Sequence, residues 1–243
     1  PSAVACDAQG NIYIADRGRP RILRVVAGDG SIATIFGDGS HGNPGLRDPR
    51  GVAADQHGNV FATDRVLSRV IAIAPDGSHD VLWSGRPEVD YPYAIALDSQ
   101  GSPIFSVNTA SASRLYRVAP DRTVEHIAGS GECASSLDAA PLPALRAPLC
   151  FVSGLALDHH GTLYLSTSQQ IAQIDTAKTL RWIAGSGETG TTPLPPLGDG
   201  GPLSTANLNG ASSIAVSDGD IYFTQLIHNR VRKITLVNKS NPR

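Results

Sequence analysis

The stretch GVAADQHGNVFATD at residues 51–64 joins two short apolar segments through a turn that contains Asp55 and Gly58. Asp side chains hydrogen-bond the backbone of tight turns, and Gly adopts the positive φ that such turns require. The stretch therefore predicts a β-hairpin. Similar stretches occur four more times along the chain, with turn glycines at Gly10, Gly101, Gly161 and Gly219. Recurrence at this spacing predicts a repeat architecture.

Each hairpin is followed by a third apolar strand, and four of the five units continue into a fourth strand. In the second unit these strands are RVIAI at 69–73 and DVLW at 80–83. A four-stranded antiparallel meander has two faces to bury, and radial stacking of such sheets buries both. The sequence thus predicts an all-β fold, a β-propeller of four-stranded antiparallel blades in a single domain. Its five units are placed at about 1–48, 49–91, 92–150, 151–209 and 210–243.

These units resemble the NHL-repeat family. The matching features are the Gly-Val/Ile-Ala-x-Asp opening, the x-x-Gly-Asn turn, the IYIAD strand at 12–16 and the Arg-Ile/Val that follows it. The GDGGPLSTANLN stretch at 198–209 also resembles the linker of bacterial-type NHL propellers. The resemblance covers essentially the whole chain. It implies the fold rather than the function, because the repeats that carry it are structural.

The number of blades stays open. NHL-like propellers are commonly six-bladed, and the fifth unit here lacks an outer strand in the sequence pattern. We therefore expect either a segment of a six-bladed propeller or a ring closed by an unusual partner, such as another copy of the chain, and we favour the segment. Unpaired strand edges would otherwise promote association.

Composition excludes several classes of function. The 243 residues carry a formal net charge of −2, and no apolar run is long enough to cross a bilayer, so membrane insertion is not expected. Seventeen Arg and three Lys are interleaved with Asp, and aromatic residues make up only 5%. Some NHL propellers bind RNA, but the charge balance and the few aromatic side chains disfavour nucleic acid here.

The irregular sequence concentrates at one end of the predicted blades, where the second strand leads to the third and one unit leads to the next. Binding residues concentrate on long loops held by a rigid scaffold, so we expect the binding surface at this end. We interpret the pairs Asp16–Arg21 and Asp64–Arg69, repeated across one such loop, as structural ion pairs. The candidate binding residues of this end are Arg17, Arg19, His41, Arg65, His228 and Asn229.

No catalytic or metal-binding set is apparent in the sequence. A catalytic zinc needs three converging protein ligands, whereas His57, His159 and His160 fall in short turns at the opposite end. Ser130 and Ser186 lie in a repeated IAGSGE stretch without the spacing or the following helix of a nucleophile elbow. We therefore expect no metal, no cofactor and no catalytic residue.

The three cysteines predict one disulfide and one thiol. Cys133 and Cys150 bracket one connection and are expected to form the bridge, whereas Cys6 is expected to be a buried thiol. A disulfide indicates an oxidising compartment and so a secreted or extracellular protein. Asn238 begins an Asn-x-Ser glycosylation sequon.

The sequence favours a non-enzymatic interaction or scaffold module, extracellular, that binds protein or glycan through the long-loop end. The alternative is a propeller enzyme, a lyase or hydrolase, with its site at the mouth of the central channel, since some NHL-like propellers are lyases. A second alternative is an RNA-binding NHL domain.

Overall fold

The computed structural model describes residues 1–39, 45–134, 140–187 and 198–236. In these residues the chain forms β-strands and only three single-turn 3₁₀ helices, Ala144–Arg146, Leu203–Thr205 and Leu226–His228. The predicted all-β fold is confirmed. The chain divides into two compact units, the first holding residues 1–110 and 114–127 and the second holding 111–113 and 128–243.

The first unit contains three antiparallel sheets, each a meander of four strands in chain order. The first sheet comprises β1 (Ala3–Cys6), β2 (Ile12–Asp16), β3 (Arg21–Val25) and β4 (Ile32–Phe36). The second comprises β5 (Pro49–Ala54), β6 (Val60–Asp64), β7 (Arg69–Ile73) and β8 (His79–Ser84). The third comprises β9 (Tyr91–Leu97), β10 (Pro103–Asn108), β11 (Ser113–Val118) and β12 (Val124–Ala128).

The second unit contains two sheets. The first has the meander β14 (Val152–Leu157), β15 (Leu163–Thr167), β16 (Ile171–Ile174) and β17 (Thr179–Ala184), and the short β13 (Leu142–Pro143) pairs with β17 as a fifth strand. The last sheet has three strands among the described residues, β18 (Ala211–Ser217), β19 (Asp220–Gln225) and β20 (Arg230–Thr235). The five predicted repeats thus correspond to five consecutive sheets.

The first strand of each sheet packs against the first strand of the next sheet in the same unit. β1 contacts β5 and β5 contacts β9 in the first unit, and β14 contacts β18 in the second. Gly51 shows how close this approach is, because a Cβ there would lie 2.9 Å from Cγ2 of Ile95 and closer still to the Tyr93 carbonyl oxygen. We call these first strands the inner strands.

The turn between the first two strands of a sheet has the predicted chemistry. Oδ1 of Asp55 accepts hydrogen bonds from the backbone N–H groups of His57 and Asn59, each at 2.8 Å, and Gly58 has φ +82°. The same bonding recurs at Asp7, Asp98 and Asp158. Burial opposes ionisation of Asp7, but the hydrogen bonds from Asn11, Tyr13 and Gln9 outweigh it and hold the pKa of that carboxyl below its usual value.

Apolar side chains fill the space between consecutive sheets of a unit. Tyr13, Ile22 and Ile71 are fully buried between the first and second sheets. Phe105 is fully buried between the second and third, where its ring lies 5.4 Å from that of Trp83. Removing such side chains from water is the main favourable contribution to stability.

A buried hydroxyl joins neighbouring sheets. Oγ1 of Thr63, on β6, accepts a hydrogen bond from the Gly51 N–H and donates one to the Tyr93 carbonyl of the next sheet, both at 2.8 Å. The turn glycine is followed five residues later by a hydroxyl side chain in four of the five repeats. The others are Ser106, Ser166 and Thr224, and each hydrogen-bonds the backbone of an inner strand.

Replacing Thr63 by Val, a side chain of the same shape, should leave the Gly51 N–H and the Tyr93 carbonyl without their partner. Buried groups left unpaired in this way cost about 2 kcal/mol, and Thr63 has no exposed surface. Urea denaturation of Thr63→Val should show that loss, and Thr63→Ser, which keeps the hydroxyl, should lose less. Equal stability of the two variants would contradict the bridging role.

The structure corrects the prediction for Cys6. Its side chain was expected to be buried, but the thiol is free and exposed. Cys6 lies at the end of β1, where burial alternates along the strand, and its side chain has the outward-facing position. The exposure of Cys6 is therefore set by the alternation of side chains between the two faces of the strand, and not by the apolar character of cysteine.

Candidate binding surface

Three arginines surround one carboxylate at the long-loop end of the first unit. Asp48 immediately precedes β5, Arg50 lies at the start of β5, and Arg17 and Arg65 begin the loops after β2 and β6. Antiparallel register places these points together, because the ends of β2 and β6 and the starts of β5 and β9 share one end of their sheets. Asp48, Arg17, Arg50 and Arg65, with Tyr91 and Tyr93 on β9, are here called the arginine–tyrosine surface.

Asp48 holds the three guanidinium groups in place. Its Oδ2 accepts hydrogen bonds from Nη2 and Nε of Arg50, at 3.0 and 3.1 Å, and from Nη1 of Arg65 at 3.4 Å. Its Oδ1 lies 2.9 Å from Nε of Arg17, at an angle outside hydrogen-bond geometry. The Asp48 side chain is 8% exposed, whereas those of Arg17 and Arg65 are 57% and 38% exposed. The carboxylate is thus covered by three cations, of which Arg17 and Arg65 are open to solvent.

Two tyrosines of β9 extend this arrangement. The Arg50 guanidinium lies 5.2 Å from the centre of the Tyr93 ring, and its Nη1 donates to the Tyr93 hydroxyl at 3.4 Å. The Arg65 guanidinium lies 4.8 Å from the centre of the Tyr91 ring. Both separations are within the range of a cation–π interaction, which orients the guanidinium over the ring.

The buried side chain of Asp64 fixes the loop that carries Asp48. The Asp64 carboxylate accepts hydrogen bonds from the backbone N–H groups of Arg47, Asp48 and Leu67, at 2.8, 3.1 and 3.2 Å. Asp64 has no exposed surface, and these hydrogen bonds fix the backbone around Asp48. Among the four side chains Asp48, Arg17, Arg50 and Arg65, the positive charges exceed the negative ones by two.

The first of the repeated Asp–Arg pairs is an ion pair in the structure. Nε of Arg21 lies 3.2 Å from Oδ2 of Asp16. Burial opposes ionisation of Asp16, but the Arg19 N–H and the Arg21 side chain outweigh it and lower the pKa of that carboxyl. Arg69 donates from Nη2 to the Gly45 carbonyl and lies opposite Asp64 in the register of β6 and β7.

An exposed ion pair borders the surface. Nε of Arg86 lies 2.9 Å from Oδ2 of Asp90, which raises the pKa of Arg86 and lowers that of Asp90. Asp90 also anchors the chain before β9, because its carbonyl accepts a hydrogen bond from Oγ of Ser68 at 2.6 Å. The ion pair neutralises itself and leaves the charge excess at Asp48 unchanged.

The structure distributes the predicted binding residues over both units. Arg17 and Arg65 meet at Asp48, and Arg19 is exposed beside them with its N–H bonded to Asp16. His228 and Asn229 lie in the second unit, in the connection from β19 to β20, where Asn229 has the left-handed conformation that ends a 3₁₀ turn. His41 and the sequon residue Asn238 lie outside the described residues.

Sequence analysis missed Asp48, Arg50, Tyr91 and Tyr93. A signal for two of them was present, since Pro49-Arg50-Gly51-Val-Ala and Pro92-Tyr93-Ala94-Ile-Ala are equivalent openings of consecutive repeats. The residue after the proline is the second residue of β5 and the third of β9, so it lies at the long-loop end of an inner strand. Comparing that position between repeats would have identified Arg50 and Tyr93 as neighbours.

The predicted disulfide between Cys133 and Cys150 is confirmed, with a Cα–Cα distance of 4.6 Å. No group of three His, Cys, Asp or Glu side chains suited to a metal ion occurs in the described parts of the chain. The described helices are single turns, and none is long and apolar enough to cross a membrane.

No protein-family model and no curated protein matches the sequence. Among solved structures, the chain is similar to one from a nidogen/laminin complex, with a TM-score of 0.71 and 17% identity over 96% of this chain and 75% of that chain. It is also similar to virginiamycin B lyase from Staphylococcus aureus, with a TM-score of 0.62 and 14% identity over 98% and 71% of the two chains.

A third similar structure is the PQQ-bound aldose sugar dehydrogenase from Streptomyces coelicolor, with a TM-score of 0.60 and 18% identity over 97% and 77% of the two chains. At these identities the likeness concerns the fold alone. Together with the five sheets, it shows that the chain has a β-propeller fold.

Proposed function

We propose that this chain is a non-enzymatic, NHL-like propeller module that binds a protein or glycan partner through its long-loop end. The observation that carries this proposal is the excess of guanidinium groups over carboxylates around Asp48, with Arg17 and Arg65 open to solvent. A positive, solvent-facing group of this kind is suited to a partner of opposite charge.

The composition of the surface also supports a binding role. Arg and Tyr are enriched at protein interfaces and in their energetic centres, where they combine a large contact area with directed hydrogen bonds. Asp48 and the rings of Tyr91 and Tyr93 hold the arginines in place before any partner arrives. Such preorganisation reduces the entropy that ordering these long side chains would otherwise cost.

One of the similar structures is a complex of two proteins, and two others are enzymes. They are therefore compatible with a binding role and with the enzymatic alternative. The arginine–tyrosine surface favours the binding role, because its contacts orient guanidinium groups that are exposed to solvent. The Cys133–Cys150 disulfide supports an extracellular or other oxidising location for the module.

The proposal can be tested by selecting binders from a displayed random-peptide library and a glycan array on the wild-type chain. Each binder is then measured against the charge-reversed variant Arg17→Glu/Arg65→Glu. We expect most of the selected binders to lose at least about tenfold in affinity, because two charge-assisted contacts become repulsive.

The matched control is Arg122→Glu, since Arg122 is also an exposed arginine of the first unit but lies in the turn between β11 and β12, at the opposite end. Binders should retain their affinity for this variant. Binders that respond equally to both variants, or to neither, would contradict a site at the long-loop end.

A further inference from the structure

We infer that the group recognised at the arginine–tyrosine surface is a carboxylate of an acidic peptide segment, gripped by Arg17 and Arg65. This inference deepens the proposed function and rests on it. The inference rests on the guanidinium N–H donors that are not used in contacts with Asp48 and are available to a ligand.

Arg50 is committed to the structure. Its Nε and Nη2 donate to Asp48, its Nη1 donates to the Tyr93 hydroxyl, and its side chain is 12% exposed. Arg50 therefore fixes the position of Asp48 and is not available to a ligand.

Arg17 and Arg65 each use only one nitrogen on Asp48. Arg17 meets Oδ1 through Nε, and Arg65 reaches Oδ2 through Nη1. Among the described residues, both Nη atoms of Arg17 and the Nε and Nη2 atoms of Arg65 keep their donors for a ligand. Both side chains contact the same carboxylate and are 57% and 38% exposed, so their unused donors are near one another and accessible to a ligand.

The unused donors match a carboxylate in geometry and charge. A guanidinium presents two parallel N–H groups that bond both oxygens of a carboxylate, and such charge-assisted pairs are about twice as strong as neutral hydrogen bonds. One ligand carboxylate would neutralise half of the excess of two charges, and a second, from the next acidic residue, would neutralise the rest.

A peptide fits this surface better than a sulfated glycan or a nucleic acid. Long polyanions are held by extended tracks of cations, whereas Arg17, Arg50 and Arg65 converge on one buried Asp. The flanking Tyr91 and Tyr93 offer ring edges and faces to the apolar parts of peptide side chains.

The test uses a fluorescein-labelled octaglutamate peptide as the acidic probe and octaglutamine as its uncharged counterpart, with binding followed by fluorescence anisotropy. Octaglutamate should bind the wild-type chain at least about tenfold more tightly than octaglutamine. Its affinity should fall as the salt concentration rises from about 0.05 M to about 0.5 M, because screening acts strongly on exposed charges.

Single-residue variants distinguish the contribution of the Arg17 and Arg65 donors from that of the general charge of the chain. Arg17→Gln and Arg65→Gln should each weaken octaglutamate binding by about tenfold, whereas Arg122→Gln should leave it unchanged. Circular dichroism and a melting curve of each variant establish that it is folded. A heparin octasaccharide serves as the sulfated probe and should bind more weakly than octaglutamate.

Three results would overturn the inference: no preference for octaglutamate over octaglutamine, equal effects of the Arg65 and Arg122 variants, or tighter binding of heparin. If selected binders still depend on the long-loop end but carry no acidic residues, the inference fails and the proposed function stands. If no ligand of any kind depends on that end, both fail.

Discussion

Replacing Asp64 by alanine should destabilise the chain by about 4 kcal/mol, the largest effect we expect from a single substitution outside the core. The substitution removes an acceptor with no exposed surface and leaves the N–H groups of Arg47, Asp48 and Leu67 without partners. Water cannot replace the carboxylate without opening the loop. Guanidinium denaturation, with the midpoint and slope both fitted, measures the loss.

Asp16 is the matched control, because it occupies the equivalent end of β2 in the preceding repeat. Its side chain is 18% exposed, and it accepts one backbone hydrogen bond, from Arg19 at 3.3 Å, besides its contact with Arg21. Water can therefore replace part of its role, and Asp16→Ala should cost about 1 kcal/mol. Equal losses for the two variants would show that burial of the carboxylate is not what matters.

The second large effect is expected from removing the disulfide. In the chain-entropy description, a bridge between residues 17 apart stabilises the folded state by about 3 kcal/mol, because it restricts the unfolded chain. The double variant Cys133→Ser/Cys150→Ser should lose about that amount in an unfolding experiment under non-reducing conditions. Reduction of the wild-type chain should produce a similar loss.

Cys6→Ser provides the control for this experiment, since Cys6 is the remaining cysteine, free and exposed. Its replacement should leave stability within about 0.5 kcal/mol of the wild-type value. Peptide mapping without reductant should recover the Cys133 and Cys150 peptides as one linked species. Recovery of both thiols in free form, with unchanged stability, would remove the disulfide from the argument for an oxidising location.

The fold could be predicted because its determinants are local in sequence. Asp55 and Gly58 determine a turn of four residues, and the same two residue types recur in three of the other four repeats, which identifies the repeating unit. Apolar alternation then gives the strands on either side. Cys6 was wrongly placed because its hydrophobic character was considered without its position in the alternation of β1.

The arginine–tyrosine surface was only partly predictable, because it is assembled from different repeats. Arg17 and Arg65 could be assigned to the correct end from their loops, but Asp48 comes from the connection between two sheets. Its partnership with both arginines depends on how those sheets pack. Whether an arginine grips a ligand or a neighbouring carboxylate is a three-dimensional property that a single repeat does not contain.

The meander order of the sheets also has a consequence for synthesis of the chain. Each sheet is built from consecutive strands, so it can pair as soon as its own segment has left the ribosome. The apolar face that carries Phe61 and Val70, however, is covered only when the following sheet, with Phe105, has been made. At about 5–20 residues per second, a repeat of about 45 residues leaves that face uncovered for roughly 2–9 seconds. Nascent chains of this architecture therefore present a newly made apolar surface to chaperones once for every sheet.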